Sequence, residues 1–225
     1  MNVFSRIARS LRRSLQQKRY LRIYRKYKDF TMIPDWVYAS NLRVIDGLQS
    51  VPGCVVECGV WRGGMSAGMV EIMGANRQYL LFDSFEGLPP AKEIDGESAI
   101  HWQADTESPS YFNNCSAEID FAENAMKKSG ATHFRLVKGW FNETLHNFDF
   151  GEPIALLRLD GDWYDSTMCC LDALAGKLAP GGIIIMDDYF AWDGCSRAVH
   201  DYLSKTKSVM RINNIHGVVV IQHRF

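Results

Sequence analysis

Short apolar runs alternate with stretches of helical periodicity along most of this chain. We interpret seven of the runs as strands, at residues 54–59, 79–83, 134–138, 154–160, 182–186, 209–212 and 218–222. Strands that alternate with helices predict a parallel sheet covered on both faces, and nearly continuous apolar strands agree with burial on both sides. The pattern therefore predicts an α/β, Rossmann-like fold whose seven-stranded sheet is mostly parallel and has an antiparallel C-terminal strand.

Helical periodicity fills most of the segments between these runs. The predicted helices lie at residues 1–30, 35–49, 65–73, 114–129, 166–178 and 193–204. Residues 86–112 lack periodicity and are rich in Gly, Pro, Ser and acids, which is typical of a functional lid loop. We therefore divide the chain into an N-terminal helical extension at 1–50 and an α/β domain at 51–225 that carries this lid.

The formal net charge of the 225 residues is -1, but the charge is unevenly distributed. No acid precedes Asp29, whereas the same segment carries these basic residues: Arg6, Arg9, Arg12, Arg13, Lys18, Arg19, Arg22, Arg25, Lys26 and Lys28. A basic region confined to one end of an otherwise acidic chain argues against nucleic-acid binding.

The basic helix also carries a narrow apolar stripe, formed by Phe4, Ile7, Leu11 and Leu15. A wide stripe would favour docking on a membrane surface. The narrow one favours an arm that packs on the domain or on a second subunit, so we expect a homo-oligomer rather than a membrane-bound protein.

The cysteines and the hydropathy predict a cytoplasmic location. The six cysteines form no CxxC pair and show no zinc-site spacing, and reduced thiols fit the cytosol. No apolar stretch approaches the roughly 20 residues needed to span a bilayer. The basic N-terminal region is not followed by the apolar core of a signal peptide.

Acidic residues end four of the predicted strands, at the edge of the sheet where ligands bind in folds of this kind. The first, Glu57, precedes a glycine-rich turn that contains Gly59, Trp61 and Gly63. Glycines let the backbone approach a ligand closely. An acid in front of them would repel a pyrophosphate but suits an amino group, which favours S-adenosylmethionine over a dinucleotide.

Two further segments complete the predicted donor site. Asp83 ends the second strand, where an acid commonly accepts hydrogen bonds from ribose hydroxyls, and Ser84 follows it. After the third strand, Gly139 and Trp140 place an aromatic ring where it would either stack on adenine or pack beneath the sheet edge.

The remaining acids predict the type of reaction. Asp160 ends one strand and the pair Asp187 and Asp188 ends the next. Adjacent parallel strands bring these carboxylates together, and close carboxylates repel one another unless a cation relieves the repulsion. Mg²⁺ accepts such oxygens and keeps positions open for water and substrate. A bound dication also makes a hydroxyl easier to deprotonate.

Two alternatives stay open from these residues. Asp160 and Asp162 form a DxD pattern, which would hold the metal of a glycosyltransferase. The other alternative is a non-catalytic member of the fold that acts through its basic arm. Asp162 and His101 are further candidates for the site, ranked below Asp160.

With these motifs in hand, the sequence resembles the macrocin O-methyltransferases, which methylate sugar hydroxyls on macrolide and aminocoumarin antibiotics. The resemblance rests on residues 55–64, 82–89, 159–167 and 180–189. It implies a class I methyltransferase fold and a magnesium-dependent O-methyl transfer to a small-molecule or glycan hydroxyl.

The resemblance also assigns roles to individual residues. Asp160, Asp187 and Asp188 match the metal-binding aspartates of the family, and Asp160 matches its general base. Glu57, Gly59 and Asp83 match its S-adenosylmethionine site. The distantly similar catechol methyltransferases carry Asp-Asn where this chain carries Asp187 and Asp188.

Overall fold

The computed structural model describes the backbone of residues 3–223 and the side chains of residues 11–223. Its centre is one seven-stranded sheet in the order β3-β2-β1-β4-β5-β7-β6. The strands are β1 (Cys54–Cys58), β2 (Gln78–Asp83), β3 (His133–Lys138), β4 (Ile154–Leu159), β5 (Leu178–Met186), β6 (Arg211–Ile215) and β7 (Val218–Gln222). The first five are parallel, whereas β7 pairs antiparallel with both β5 and β6. The predicted fold class is confirmed.

Helices cover both faces of this sheet. They are α1 (Val3–Tyr27), α2 (Asp35–Ile45), α3 (Gly64–Met73), α4 (Glu97–Ala104), α5 (Ile119–Ser129), α6 (Phe141–Thr144), α7 (Tyr164–Leu174) and α8 (Asp193–Lys205). One apolar cluster joins the sheet to α1, α2, α3 and α5, and a second joins it to α7 and α8. Every residue of β1 and β4 is buried, as expected for central parallel strands.

The C-terminal half of α1 is part of the core. Tyr20, Ile23 and Tyr27 are buried in the first cluster, and the hydroxyl groups of the two tyrosines donate to Asp46 and Glu71, each at 2.8 Å. Residues 11–15 of the same helix are exposed: Leu15 is 67% accessible and Leu11 is 60% accessible. The side chains of Phe4 and Ile7, from the predicted apolar stripe, lie outside the described residues.

The predicted lid loop contains a helix, so its interpretation as unstructured is wrong in part. Helix α4 was missed because only Ala99 is buried in it, and it therefore shows no apolar periodicity. The following helix begins at residue 119 rather than 114. Residues 112–115 all have positive φ, between 49° and 59°, which a right-handed helix excludes.

The boundary between α7 and β5 also differs from the prediction. The sequence Pro180-Gly181-Gly182 was interpreted as a helix stop before a strand, but it lies within β5. The neighbouring strand β4 has a register shift between Ile154 and Leu156, and this irregularity of the sheet accommodates the Pro-Gly-Gly segment. Strand β6 begins two residues later than predicted, at Arg211. Over the described residues, no helix is long and apolar enough to cross a membrane.

Candidate active site

A cavity of about 860 Å³ opens at the carboxyl edge of the sheet. Most of the sequence-predicted site residues line it: Glu57, Gly59, Trp61, Asp83, Ser84, Gly139, Trp140, Asp160, Asp187 and Asp188. Gly63 and His101 do not; His101 is exposed on α4. Residues from separate segments therefore meet in one cavity, where parallel α/β sheets bind their ligands.

The turn between β1 and α3, residues 59–64, is called the glycine loop below. Gly59 has a φ of +91°, and a Cβ atom there would lie 1.7 Å from the carbonyl oxygen of Asp160. At Gly63 (φ +78°) a Cβ atom would lie 2.9 Å from the Cα atom of Ala122. Only glycine fits such positions. The loop is thus held against β4 on one side and α5 on the other.

Asp83, at the end of β2, holds the glycine loop through its carboxylate. Its Oδ2 atom accepts the backbone N–H groups of Val60 at 2.6 Å and Trp61 at 2.8 Å, and Oδ1 accepts that of Phe85 at 2.6 Å. Burial raises the pKa of Asp83, and the three N–H groups oppose the rise. Two carboxylate oxygens offer about four lone-pair sites, so Asp83 keeps acceptor capacity toward the cavity.

Ser84 and Gly139 shape the same edge of the cavity. The hydroxyl of Ser84 donates to the Gly87 carbonyl at 2.9 Å and accepts the Glu86 N–H at 3.1 Å, which fixes the turn after β2. Gly139 (φ +142°) donates its N–H to the Asp83 carbonyl at 3.0 Å. The next residue, Trp140, is half-buried and lines the cavity at the start of α6.

On the other side of the cavity, three carboxylates converge at the ends of β4 and β5. One oxygen from each of Asp160, Asp187 and Asp188 lies within 4.8 Å of the others, and we call these three residues the acidic cluster. Backbone pairing continues past the strand ends and aligns them: Asp160 N–H donates to the Cys58 carbonyl and Asp187 N–H to the Leu159 carbonyl, both at 2.9 Å.

The acidic cluster has the chemistry of a divalent-cation site. Burial raises the pKa of Asp187 to about 6, although Arg158 opposes the rise. Burial, followed by the neighbouring aspartates, raises the pKa of Asp188 well above its usual range. Carboxylates held in this way gain from a hard dication, because it restores the charged form that burial disfavours.

Glu57 and Arg158 form a buried ion pair between the two sides of the cavity. Both are 1% exposed, and Arg158 Nη1 lies 2.8 Å from Glu57 Oε1. Ser66 donates its hydroxyl to the other oxygen of Glu57. Burial raises the pKa of Glu57 to about 7, against the opposing effects of Arg158 and Ser66.

Arg158 also contacts two members of the acidic cluster. Its Nη1 atom lies 2.8 Å from Asp160 Oδ2 and its Nη2 atom lies 2.6 Å from Asp187 Oδ1. The sequence analysis missed this residue. The available signal was a single arginine among the apolar residues 154–159 of a predicted strand, a position where a charge needs partners.

Asp162 lies beside the acidic cluster, but hydrogen bonds to Asp188 and Trp192 already hold it in place. It has a φ of 55°, and its N–H donates to Asp188 Oδ2 at 3.1 Å. The indole N–H of Trp192 donates to Asp162 Oδ1 at 2.8 Å. Burial first, and Asp160 second, raise the pKa of Asp162 to about 8.

The roof of the cavity combines the segment after β2 with the start of α7 and α8. The rings of Trp102, Trp163 and Trp192 pack edge to face, with centroids 5.3–6.1 Å apart. Asp95 accepts the Tyr164 N–H at 2.7 Å and the Lys92 N–H at 2.8 Å. The segment called a lid from sequence is therefore anchored to the domain by buried aromatic and polar contacts.

The link between α1 and α2 also lines the cavity, which the sequence did not predict. Met32, Ile33 and Val37 contribute apolar side chains to its wall. The Phe30 carbonyl would lie 2.5 Å from a Cβ atom at Gly64. This close packing on the glycine loop means that the N-terminal segment completes the cavity.

Comparisons with known proteins agree with this geometry. A family model described as Macrocin-O-methyltransferase (TylF) matches residues 40–224. The 8-demethyl-8-(2,3-dimethoxy-alpha-L-rhamnosyl)-tetracenomycin-C 4'-O-methyltransferase of Streptomyces olivaceus is 36% identical over 83% of this chain and 76% of its own. Demethyldecarbamoylnovobiocin O-methyltransferase of Streptomyces niveus is 33% identical over 69% of this chain and 60% of its own. The solved O-methyltransferase NovP aligns with a TM-score of 0.71 and 27% identity, over 87% of this chain and 83% of that one.

The sheet order with its antiparallel last pair, and the glycine loop after β1, define a class I Rossmann-like methyltransferase. Within that class, the chain belongs to the TylF macrocin O-methyltransferase family, whose model covers most of its length. The resemblance noted from the motifs is confirmed, as is the prediction of a methyltransferase. The glycosyltransferase alternative is set aside.

Proposed function

We propose that this enzyme transfers the methyl group of S-adenosylmethionine to a sugar hydroxyl of a glycosylated natural product, with a divalent cation held by the acidic cluster. The observation that carries the proposal is the meeting of Asp160, Asp187 and Asp188 in the same cavity as the glycine loop and Asp83. The side with the glycine loop and Asp83 suits a nucleoside, and the side with the acidic cluster suits a hard cation.

The donor side is formed by β1 and β2. Asp83 keeps about one acceptor site that suits a ribose hydroxyl. Glu57 lines the cavity next to the glycine loop and suits the amino group of the donor. Trp140 offers an aromatic face for adenine. S-adenosylmethionine supplies the electrophilic methyl group when it is bound.

The cation side is formed by β4 and β5. Asp160, Asp187 and Asp188 would hold Mg²⁺ or a similar ion, because carboxylate oxygens are its preferred ligands. The ion would orient the acceptor hydroxyl and favour its ionised form. Asp160 is the proposed general base, which takes up the hydroxyl proton on its carboxylate.

The acceptor class follows from the relatives and the wall of the cavity. The Streptomyces olivaceus relative is named for a rhamnosyl group carried on tetracenomycin C. Met32, Ile33 and Phe112 give the cavity an apolar wall that suits an apolar aglycone. The acceptor proposed here is accordingly a sugar that is already attached to an apolar carrier.

Ligand-induced stabilisation tests the donor and the cation separately. We expect S-adenosylhomocysteine to raise the melting temperature of the purified protein by mass action, and a nucleotide sugar to leave it unchanged. Mn²⁺ titrated by calorimetry should bind with a stoichiometry of one per chain. Stabilisation by the nucleotide sugar alone would contradict the donor assignment.

Methyl transfer tests the acceptor. We expect labelled methyl to move from S-adenosylmethionine to the rhamnosyl-tetracenomycin that the Streptomyces olivaceus relative is named for, and to stop when EDTA removes divalent cations. Free 2,3-di-O-methyl-rhamnose serves as the matched acceptor without the carrier. Equal turnover of the two acceptors would show that the apolar wall does not bind an aglycone.

A further inference from the structure

Arg158 is the least expected residue of the site, because it places a full charge inside the most buried strand of the sheet. It lies on β4 between Leu157 and Leu159, directly opposite Glu57 on β1 and Ile185 on β5. Its side chain is 1% exposed. Burying a charge is costly unless partners compensate, so the position requires a reason beyond filling space.

The partners of Arg158 connect the two sides of the cavity. Nη1 is shared between Glu57 Oε1 and Asp160 Oδ2, both at 2.8 Å, while Nη2 lies 2.6 Å from Asp187 Oδ1. One guanidinium thus faces three carboxylates from three neighbouring strands. It occupies one oxygen of Asp160 and one of Asp187, and a carboxylate has two.

The contacts of Arg158 offset the mutual repulsion of the carboxylates in the acidic cluster. Three carboxylates within 4.8 Å repel one another and would turn apart in the absence of a cation. A guanidinium in ion-pair contact with both Asp160 and Asp187 restrains their separation and their direction. Lys92 is the other cation that lines the cavity over the described residues, but it is exposed and pairs with Asp165 at 2.5 Å.

We propose that Arg158 is a positioning residue that preorganises the cation site: it holds Asp160 and Asp187 in ligating geometry and ties them to Glu57 on the donor side. The inference rests on the proposed function, because it concerns the cation of that same site. The planar, two-pronged shape of arginine is essential to it, since a lysine ammonium carries the charge but not the fork.

Substitution of Arg158 by lysine keeps the positive charge but removes the planar guanidinium, so it separates the effect of the side chain's shape from that of its charge. We expect R158K to bind Mn²⁺ about 10- to 100-fold more weakly than the natural protein, the usual cost of losing a group that orients metal ligands. The measurement is calorimetric titration of the full chain with Mn²⁺, without donor or acceptor, so that it does not depend on turnover. S-adenosylhomocysteine affinity should change less, because Asp83 and its backbone partners are untouched and Ser66 still donates to Glu57.

Arg77 provides the matched control. It is also partly buried and donates to the Val51 and Gly53 carbonyls at 2.8 and 2.6 Å, but at the opposite edge of the sheet. R77K should lower the melting temperature and leave Mn²⁺ binding unchanged. Natural Mn²⁺ affinity in R158K, or equal losses of Mn²⁺ and S-adenosylhomocysteine affinity, would overturn the inference.

A structure of the natural protein with Mn²⁺ tests the same point if R158K does not fold. Arg158 should keep its contacts with Asp160 and Asp187 beside the ion. An ion that displaces the guanidinium from either aspartate would show that Arg158 is a substitute for the cation, which contradicts a positioning role. Failure of the natural protein to bind Mn²⁺ at all would instead contradict the cation in the proposed function.

Discussion

The two sides of the cavity use acidic residues in different ways. Asp83 on the side of β1 and β2 accepts three backbone N–H groups, so the protein itself compensates its charge. The acidic cluster on the side of β4 and β5 shares a single guanidinium and one backbone N–H, from Asp162 to Asp188. We therefore call the first side finished, because the protein compensates its charge, and the second side incomplete, because it keeps negative charge that the proposed cation would compensate.

The largest expected effect concerns the incomplete side. D187N keeps the size of the side chain but removes a charged ligand, and we expect cation-dependent turnover to fall about 10³-fold, equivalent to several kcal/mol of charge stabilisation. S-adenosylhomocysteine affinity, measured by calorimetry, should stay within a few-fold of the natural value. D172N, an exposed aspartate of α7 paired with Lys205, is the control. Similar losses of turnover and donor affinity in D187N would erase the distinction between the two sides.

On the finished side, the stability of the protein should depend on the backbone conformation of the glycine loop. G59A places a methyl group against the Asp160 carbonyl in a left-handed conformation, and we expect it to lose more than about 4 kcal/mol of unfolding free energy. Gly74 also has a positive φ, of +102°, but nothing lies within 4 Å of a Cβ atom there. G74A should therefore cost only the conformational strain, about 1–3 kcal/mol. Urea unfolding of both proteins checks the pair, and equal losses would show that strain alone decides.

Replacing Asp83 tests whether the donor side can be weakened without an effect on the cation side. In D83N one acceptor oxygen becomes an NH₂ group that faces backbone N–H donors, so the glycine loop loses part of its support. We expect S-adenosylhomocysteine to bind about 10- to 100-fold more weakly, which corresponds to roughly 1.4–3 kcal/mol, while Mn²⁺ binding stays close to natural. D149N, which changes an exposed loop acid bonded to Gly151, is the matched control. A loss of Mn²⁺ affinity as large as that of donor affinity would contradict the separation.

Buried carboxylates of both sides should also show in the pH dependence of stability. Burial raises the pKa of Asp187 to about 6 and that of Glu57 to about 7, so the folded protein holds these protons more tightly than the unfolded chain does. Their contribution is therefore present at low pH and is lost as the pH rises through about 6–7. Mg²⁺ should raise the melting temperature more at pH 8 than at pH 5, because it competes with protons for the same oxygens. Equal shifts at the two pH values, in parallel scans with EDTA, would argue against a cation at these carboxylates.

The smallest expected effect concerns the roof. W192F keeps an aromatic ring against Trp163 but removes the N–H that donates to Asp162. We expect a loss of about 1 kcal/mol in unfolding free energy and a change of a few-fold in the KM for the acceptor. Steady-state kinetics with saturating donor measure it. An effect on the KM for the donor instead would place Asp162 on the other side of the cavity.

The sheet and the acids at its edge were predictable because they depend on simple patterns. Apolar runs define buried strands, and parallel order brings the residues that follow them to one edge, so Asp83, Asp160, Asp187 and Asp188 line one cavity at that edge. Helix α4 was not predictable in this way, because its stability comes from Trp102 packing on other tryptophans rather than from an apolar face.

Arg158 shows a different limit of sequence analysis. Its neighbours on β4 are apolar, and two of its three partners, Glu57 and Asp187, belong to other strands, so the local sequence does not indicate the full set of charges that compensate it. The wall formed by Met32 and Ile33 was missed for the same reason. Both depend on how separate segments meet, which the order of residues along the chain does not specify.

The tyrosine contacts of α1 have a practical consequence for any attempt to isolate the basic arm. A chain cut at residue 28 would lose Tyr20, Ile23 and Tyr27 from the interior and leave apolar surface on α2 and α3 facing water. Such a protein is expected to aggregate, which would be mistaken for a requirement for the arm's charges. A cut that ends before Gln16 removes the exposed Leu11 and Leu15 and keeps Tyr20, Ile23 and Tyr27 in the interior.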